Sequence, residues 1–182
     1  MYEIDATLTG WINALAGDTF PDRIMVCVSA YGVPLLVLVV AANWWSGPDR
    51  LKTRHALVAT GPAFLLGLGI NQIILLFIDR IRPYDAGITH LLIAPSGDPS
   101  FPSDHATAAF AIAAGLLLHS MPRRGLAFLA AALLISISRV YVGTHYVSDV
   151  MGGALTGVLA AFLIKSLYKP QAALDRFITG VL

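Results

Sequence analysis

Five apolar stretches separated by short polar segments run along this chain: residues 24–45, 56–78, 105–118, 126–142 and 150–164. A helix that crosses a bilayer needs about 20 mainly apolar residues. The pattern therefore predicts an all-α membrane bundle of five transmembrane helices. The third stretch is short, and its start is polar. Residues 3–16 are too short and too polar for a sixth crossing. They predict a short N-terminal amphipathic helix lying in the interface, with Trp11 as its anchor. The N-terminal MYEIDATLTGW is acidic where a cleaved secretory signal carries basic residues, so no cleavage is expected.

Composition agrees with this reading. Apolar residues make up 57% and charged residues 13%, against about 25% charge in an ordinary soluble domain. The 182 residues suffice for one domain, 1–182. A net charge of +1 gives no electrostatic footprint for nucleic acid. Cys27 is the single cysteine, which excludes an intramolecular disulfide and a cysteine-rich metal site. It reads as a small buried hydrophobe.

Basic residues set the expected orientation. With the N-terminus outside, the inner set is Arg50, Lys52, Arg54, Arg123, Arg124, Lys165, Lys169 and Arg176. The outer set is only Arg23, Arg80, Arg82 and Arg139. Of the acids, only Asp49 and Asp175 fall inside. The expectation is N-terminus out and C-terminus in, with the long loop 79–104 outside. Its prolines and glycines fit irregular structure. Gly153 and Gly157 have the spacing of a close helix-packing motif.

Ionisable residues beside apolar spans are functional candidates, and here they gather at the outer helix ends. His145 and Asp149 are spaced i, i+4, on one face if the last helix begins near His145. A carboxylate beside imidazole suits a histidine nucleophile or base. In Phe101-Pro102-Ser103-Asp104-His105, Ser103 or Asp104 can cap a helix whose exposed N–H groups favour phosphate oxygens. The Asp104 charge opposes an anion unless it points away or neutralises a base. Arg82 and Arg139 offer planar guanidinium forks to phosphate. Arg139 lies behind an apolar stretch, where a bound anion or Asp149 would compensate it. Singly, these residues also fit ordinary roles: a helix-capping pair, a plain N-cap, a snorkelling anchor. Their convergence on one face does not.

These residues resemble the motifs of the type 2 phosphatidic acid phosphatases, which share an active-site pattern with the vanadium haloperoxidases. The third family motif is complete in Ser138-Arg139, His145 and Asp149. The second reads Pro102-Ser103-Asp104-His105, with Asp where Gly is usual. The first keeps Arg82-Pro83 but has Leu75 in place of its lysine. The motif-bearing core spans 71–153. Pro95-Ser96-Gly97-Asp98 imitates the second motif without its histidine and reads as loop. Pro-Ser-Asp-His and the missing lysine resemble the bacterial undecaprenyl-diphosphate phosphatase branch. That implies a multi-pass protein of the bacterial inner membrane with its site on the extracytoplasmic side.

The resemblance implies catalysis by His145, His105 and Asp149. Phosphate would be bound by Arg82, Arg139 and Ser103, with Asp104 alongside. Arg80 and Asn71 are the candidates to replace the lysine contact. His145 would form a phosphohistidine while His105 serves as acid and then base. No cofactor and no metal are expected, since arginines carry the positive charge. The expected partners are the bilayer and a polyprenyl or other lipid phosphate. Phosphatidylglycerophosphate, phosphatidic acid and a lipid A phosphate are alternative substrates. A vanadate-dependent peroxidase and a non-catalytic lipid-binding or transport protein are the readings from other classes.

Overall fold

The computed structural model describes residues 2–17, 20–46, 49–169 and 173–180. Within them the chain is helical: α1 (Tyr2–Asn13), α2 (Phe20–Ala42), α3 (Arg50–Leu75), α4 (Asp104–Leu118), α5 (Pro122–Tyr141), α6 (Val147–Leu167) and α7 (Ala173–Gly180). A single 3₁₀ turn, Asn43–Trp45, follows α2. Four helices, α2, α3, α5 and α6, are long and apolar enough to cross a membrane. The shorter α4 has 15 residues. The expected boundaries shift by a few residues. α2 and α3 begin earlier, on Phe20 and Arg50, because Asp49 accepts a hydrogen bond from the Lys52 amide at 3.0 Å and caps α3. The last long helix begins at Val147 and not at His145.

α4 stands at the centre. Ala106, Ala108, Ala109, Ala111, Ile112, Ala113 and Leu116 on it are all buried. Large apolar side chains point the other way, outward from the bundle: Leu35, Leu38, Leu65, Leu133, Leu155, Leu159 and Phe162 are exposed. This inversion suits helices surrounded by lipid, where small residues let backbones approach closely. Gly157 shows how closely. A Cβ there would sit 2.4 Å from the Thr107 carbonyl oxygen and 2.8 Å from the Ala111 nitrogen of α4. Gly153 meets the Ser103 carbonyl oxygen in the same way at 2.4 Å. The paired glycines of α6 are therefore its contact with α4. Cys27 is a correction: it is exposed, because α2 lies at the edge of the bundle.

The short terminal helices cover opposite ends. α1 is amphipathic as expected, and Trp11 is 68% exposed. Its polar face, Thr9 and Asn13, is buried against the bundle. Asn13 Nδ2 donates to the carbonyls of Tyr141 at 2.8 Å and His90 at 2.9 Å. The Val147 amide donates to Thr9 Oγ1 at 3.1 Å. At the other end lies α7, too short to be anticipated from its apolar pattern. There Asp175 pairs with His55 of α3 at 2.7 Å and accepts a hydrogen bond from Tyr168.

The packing carries a direct expectation. Gly157→Ala drives a methyl into backbone that cannot yield, and overpacking of this kind costs about 1–3 kcal/mol. Its melting temperature in detergent should fall clearly. Gly69→Ala in α3, where a Cβ meets nothing within 4 Å, should leave it unchanged or slightly raised.

Candidate active site

The C-terminal ends of α3 and α5 meet the N-terminal ends of α4 and α6 at the end of the bundle covered by α1. A cavity of about 210 Å³ opens there, lined among others by Leu75, Arg82, Asp104, His105, Arg139 and His145. The start of α4 points its first-turn N–H groups toward this end, a position that favours an anion.

His145 sits in the turn between α5 and α6. Gly143 makes that turn at φ 84°, where L side chains are strained. A Cβ on it would strike the His90 carbonyl oxygen at 2.4 Å. The imidazole is 4% exposed, and its Nδ1 lies 2.8 Å from the Ser100 carbonyl oxygen. A carbonyl only accepts, so Nδ1 carries the proton and Nε2 keeps a lone pair. Asp149 stands 3.6 Å from Nδ1. The direct orienting partner is thus Ser100, which sequence reasoning did not identify.

Asp149 is fully buried and held on every side. Oδ2 accepts from Ser100 Oγ at 2.5 Å and from the Tyr146 amide at 2.8 Å. Oδ1 accepts from Arg80 at 2.5 Å. Burial pushes the His145 imidazole below its ordinary range. Asp149 opposes that shift, and the positive charges of Arg139 and Arg82 add to it. His145 is therefore kept neutral.

The two cavity arginines have no carboxylate partner among the described ion pairs. Arg139 donates to Ser29 Oγ of α2 at 2.6 Å, and its buried Nε has no hydrogen-bond partner among the described residues. Asp149, offered by the sequence as its counter-charge, pairs with Arg80 instead. Arg82 is gripped by carbonyls: Nε donates to Asp98 at 2.7 Å and a terminal nitrogen to Thr144 at 3.1 Å. Its other nitrogen donates to Ser96 Oγ at 3.3 Å. The segment Pro95–Asp98 is loop, as expected, but it is also the support of Arg82.

Ser103 occupies the N-cap position of α4, and its side chain makes no capping bond. Its Oγ is buried and has no hydrogen-bond partner among the described residues. An unsatisfied buried polar group costs about 1–3 kcal/mol. Asp104 opens α4 and lines the cavity, and its Oδ1 accepts from Asn71 at 2.7 Å. His105 follows in the same turn on the cavity wall.

Two expectations are corrected. Arg80 is turned away from the cavity by carboxylates on its far side, Asp5 at 2.6 Å and Asp149 at 2.5 Å. Asn71 is fully buried, bonded to Asp104 and Thr107. Neither lines the cavity, whereas Leu75 and Gln72 do. The sequence also gave no sign of Asp5, because its partners are 75 and 143 residues away.

An uncharged imidazole nitrogen, a second histidine and two uncompensated guanidinium groups around one small cavity are equipment for phosphoryl transfer. Comparison with known proteins agrees. Undecaprenyl-diphosphatase BcrC of Bacillus subtilis (strain 168) is 36% identical over 142 residues, covering 78% of this chain and 72% of that protein. A protein of Bacillus licheniformis named bacitracin transport permease protein BcrC is 42% identical over 168 residues, covering 89% of this chain and 79% of the other. The crystal structure of the transmembrane PAP2 type phosphatidylglycerolphosphate phosphatase from Bacillus subtilis superposes with a TM-score of 0.64 at 24% identity. The match covers 94% of this chain and 88% of that one. The sequence profile of the PAP2 superfamily matches residues 56–172. The chain is a membrane phosphatase of the PAP2 superfamily.

Proposed function

We propose that this phosphatase hydrolyses the terminal phosphate of undecaprenyl diphosphate on the extracytoplasmic face of the bacterial inner membrane. The observation that carries the chemistry is His145. Its Nδ1 proton is committed to the Ser100 carbonyl, and Nε2 is left free on a cavity shared with Arg82 and Arg139. The substrate assignment rests on Pro102-Ser103-Asp104-His105, on Leu75 at the lysine position and on the likeness to an undecaprenyl-diphosphatase.

His145 Nε2 attacks the terminal phosphorus in line, and the bridging P–O bond breaks as the N–P bond forms. Once the negative phosphate in the cavity offsets Arg82 and Arg139, His105 takes up a proton and gives it to the leaving oxygen of undecaprenyl phosphate. His105 then takes a proton from water, whose oxygen attacks phosphorus and breaks the N–P bond. Inorganic phosphate leaves, and both histidines are restored. Arg82, Arg139, Ser103 Oγ and the α4 N–H groups hold the equatorial oxygens, where transition-state charge is spread. The Ser100 carbonyl keeps the ring proton on Nδ1, and Asp149 beside it stabilises charge that develops on His145.

The orientation follows from the basic residues, most of which lie at the end away from the cavity. α4 then completes a five-helix crossing. A transport role would need polar side chains along the bundle. Beyond Thr107 the central helix carries no polar side chain, which favours the phosphatase reading.

His145→Ala should abolish phosphate release from undecaprenyl diphosphate by purified protein. Retained activity would sink the mechanism, and faster release from phosphatidylglycerophosphate, phosphatidic acid or a lipid A phosphate would reassign the substrate. Activity should persist in EDTA.

The pH dependence has a definite sign. The folded-state value of His145 is depressed, so the ring stays neutral below the ordinary histidine value of about 6.5. The acid limb of kcat/KM should therefore lie below that value. A limb above it would contradict the burial argument.

A further inference from the structure

Asp5 is an acid on the N-terminal helix, outside all three motifs, yet its side chain is 13% exposed and fully engaged. Oδ1 accepts from the Ser148 amide at 2.9 Å, and Oδ2 accepts from Ser148 Oγ at 2.5 Å. Oδ2 also accepts from Arg80 at 2.6 Å. Arg80 reaches across to Asp149 Oδ1 at 2.5 Å and to Ser148 Oγ at 2.7 Å. Its guanidinium lies over the Tyr146 ring, 3.9 Å from the centroid, and the Tyr146 hydroxyl meets that of Tyr2 on α1 at 3.3 Å. One arginine is thus shared between a carboxylate of α1 and the carboxylate beside His145.

We propose that Asp5 is a positioning residue of the active site, acting through Arg80 and Ser148 to hold the Asp149 carboxylate in place and only partly neutralised beside His145. The inference rests on the phosphohistidine reading above. A buried carboxylate without a counter-charge would pull a proton onto His145 and make it a poor nucleophile. A carboxylate facing an undivided arginine would stabilise the developing imidazolium too weakly. Division of Arg80 between two acids sets the balance. Burial pushes the Asp5 carboxyl up, and the hydrogen bonds from Ser148 and Arg80 more than reverse this. Asp5 thus stays charged through the working range. The charged and titratable groups around His145 are Asp149 at the start of α6, Arg139 of α5, Arg82 of the loop and His105 of α4. Arg80 acts on it only through Asp149.

The test uses the full chain in detergent, labelled with ¹⁵N-histidine. Titration of the His145 ring is followed by NMR beside the pH profile of phosphate release. Arg80→Gln should raise the His145 midpoint by about one unit, as expected for an unopposed neighbouring carboxylate. Asp5→Asn should lower it, because Arg80 then gives its whole charge to Asp149. Both variants should lose about tenfold in kcat with KM within about twofold. Asp5→Glu, which keeps the charge, should recover part of the loss. The double variant should be no worse than Arg80→Gln alone.

An unmoved His145 midpoint in both single variants would overturn the proposal. So would additive losses, or a loss of activity in Asp5→Asn with an unchanged pH limb. If the midpoints move as stated but the wild type releases no phosphate from any lipid, the positioning role stands and the phosphohistidine reading falls.

Discussion

The buried carboxylate of Asp149 is the point on which this structure turns. A charge removed from water needs a counter-charge and filled hydrogen-bonding positions, and each partner of Asp149 comes from a different part of the chain. Arg80 and Ser100 come from opposite ends of the long loop, and the Tyr146 amide comes from the start of its own helix. The Asp149 main-chain carbonyl accepts from the Ser103 amide at 3.1 Å and so joins the start of α4 to the start of α6. Satisfying one residue thus organises the loop over the cavity and ties the start of α4 to the start of α6.

Below that knot the bundle holds together by shape. Alanine and glycine on α4 and α6 bring backbones into direct contact, and bulky side chains are left to the lipid. Gly67 of α3 belongs to the same contact: a Cβ there would sit 2.9 Å from Thr107 and 3.7 Å from the Gly157 Cα. Some polar groups inside this region pair locally, as when Thr107 Oγ1 accepts from Asn71 and donates to the Gly153 carbonyl. The rigid lower part and the polar upper part share residues, so the cavity wall is as fixed as the helices beneath it.

The sequence showed the helices because apolar runs are local, and it placed His105, Arg82, Arg139 and His145 at one end because the polar breaks between those runs are local too. It did not show α7, whose eight residues carry too short a pattern. It mistook the role of Arg80, since a charge beside a span announces a need for compensation without naming the partner. Asp5 and Ser100 were invisible for the same reason. Each acts through a contact made only in three dimensions, and neither residue type is unusual where it stands. The i, i+4 spacing of His145 and Asp149 suggested two residues on one helix. The helix begins between them, and the carboxylate serves its first turn while the imidazole hangs from the preceding turn.

α4 is the shortest of the helices that meet at the cavity. Its 15 residues rise about 22 Å, against the roughly 30 Å of hydrocarbon in a bilayer. The neighbours α3, α5 and α6 have 26, 20 and 21 residues. At the cavity end the starts of α4 and α6 are level, tied by the Ser103 amide on the Asp149 carbonyl, and Asn71 in the last turns of α3 bonds the first residue of α4. The side chains that line the cavity therefore stand on helix ends pinned to one another. Attraction between phosphate and guanidinium grows as the surrounding dielectric falls, so two arginines walled in by packed helix ends grip an anion more firmly than the same pair would on an open surface.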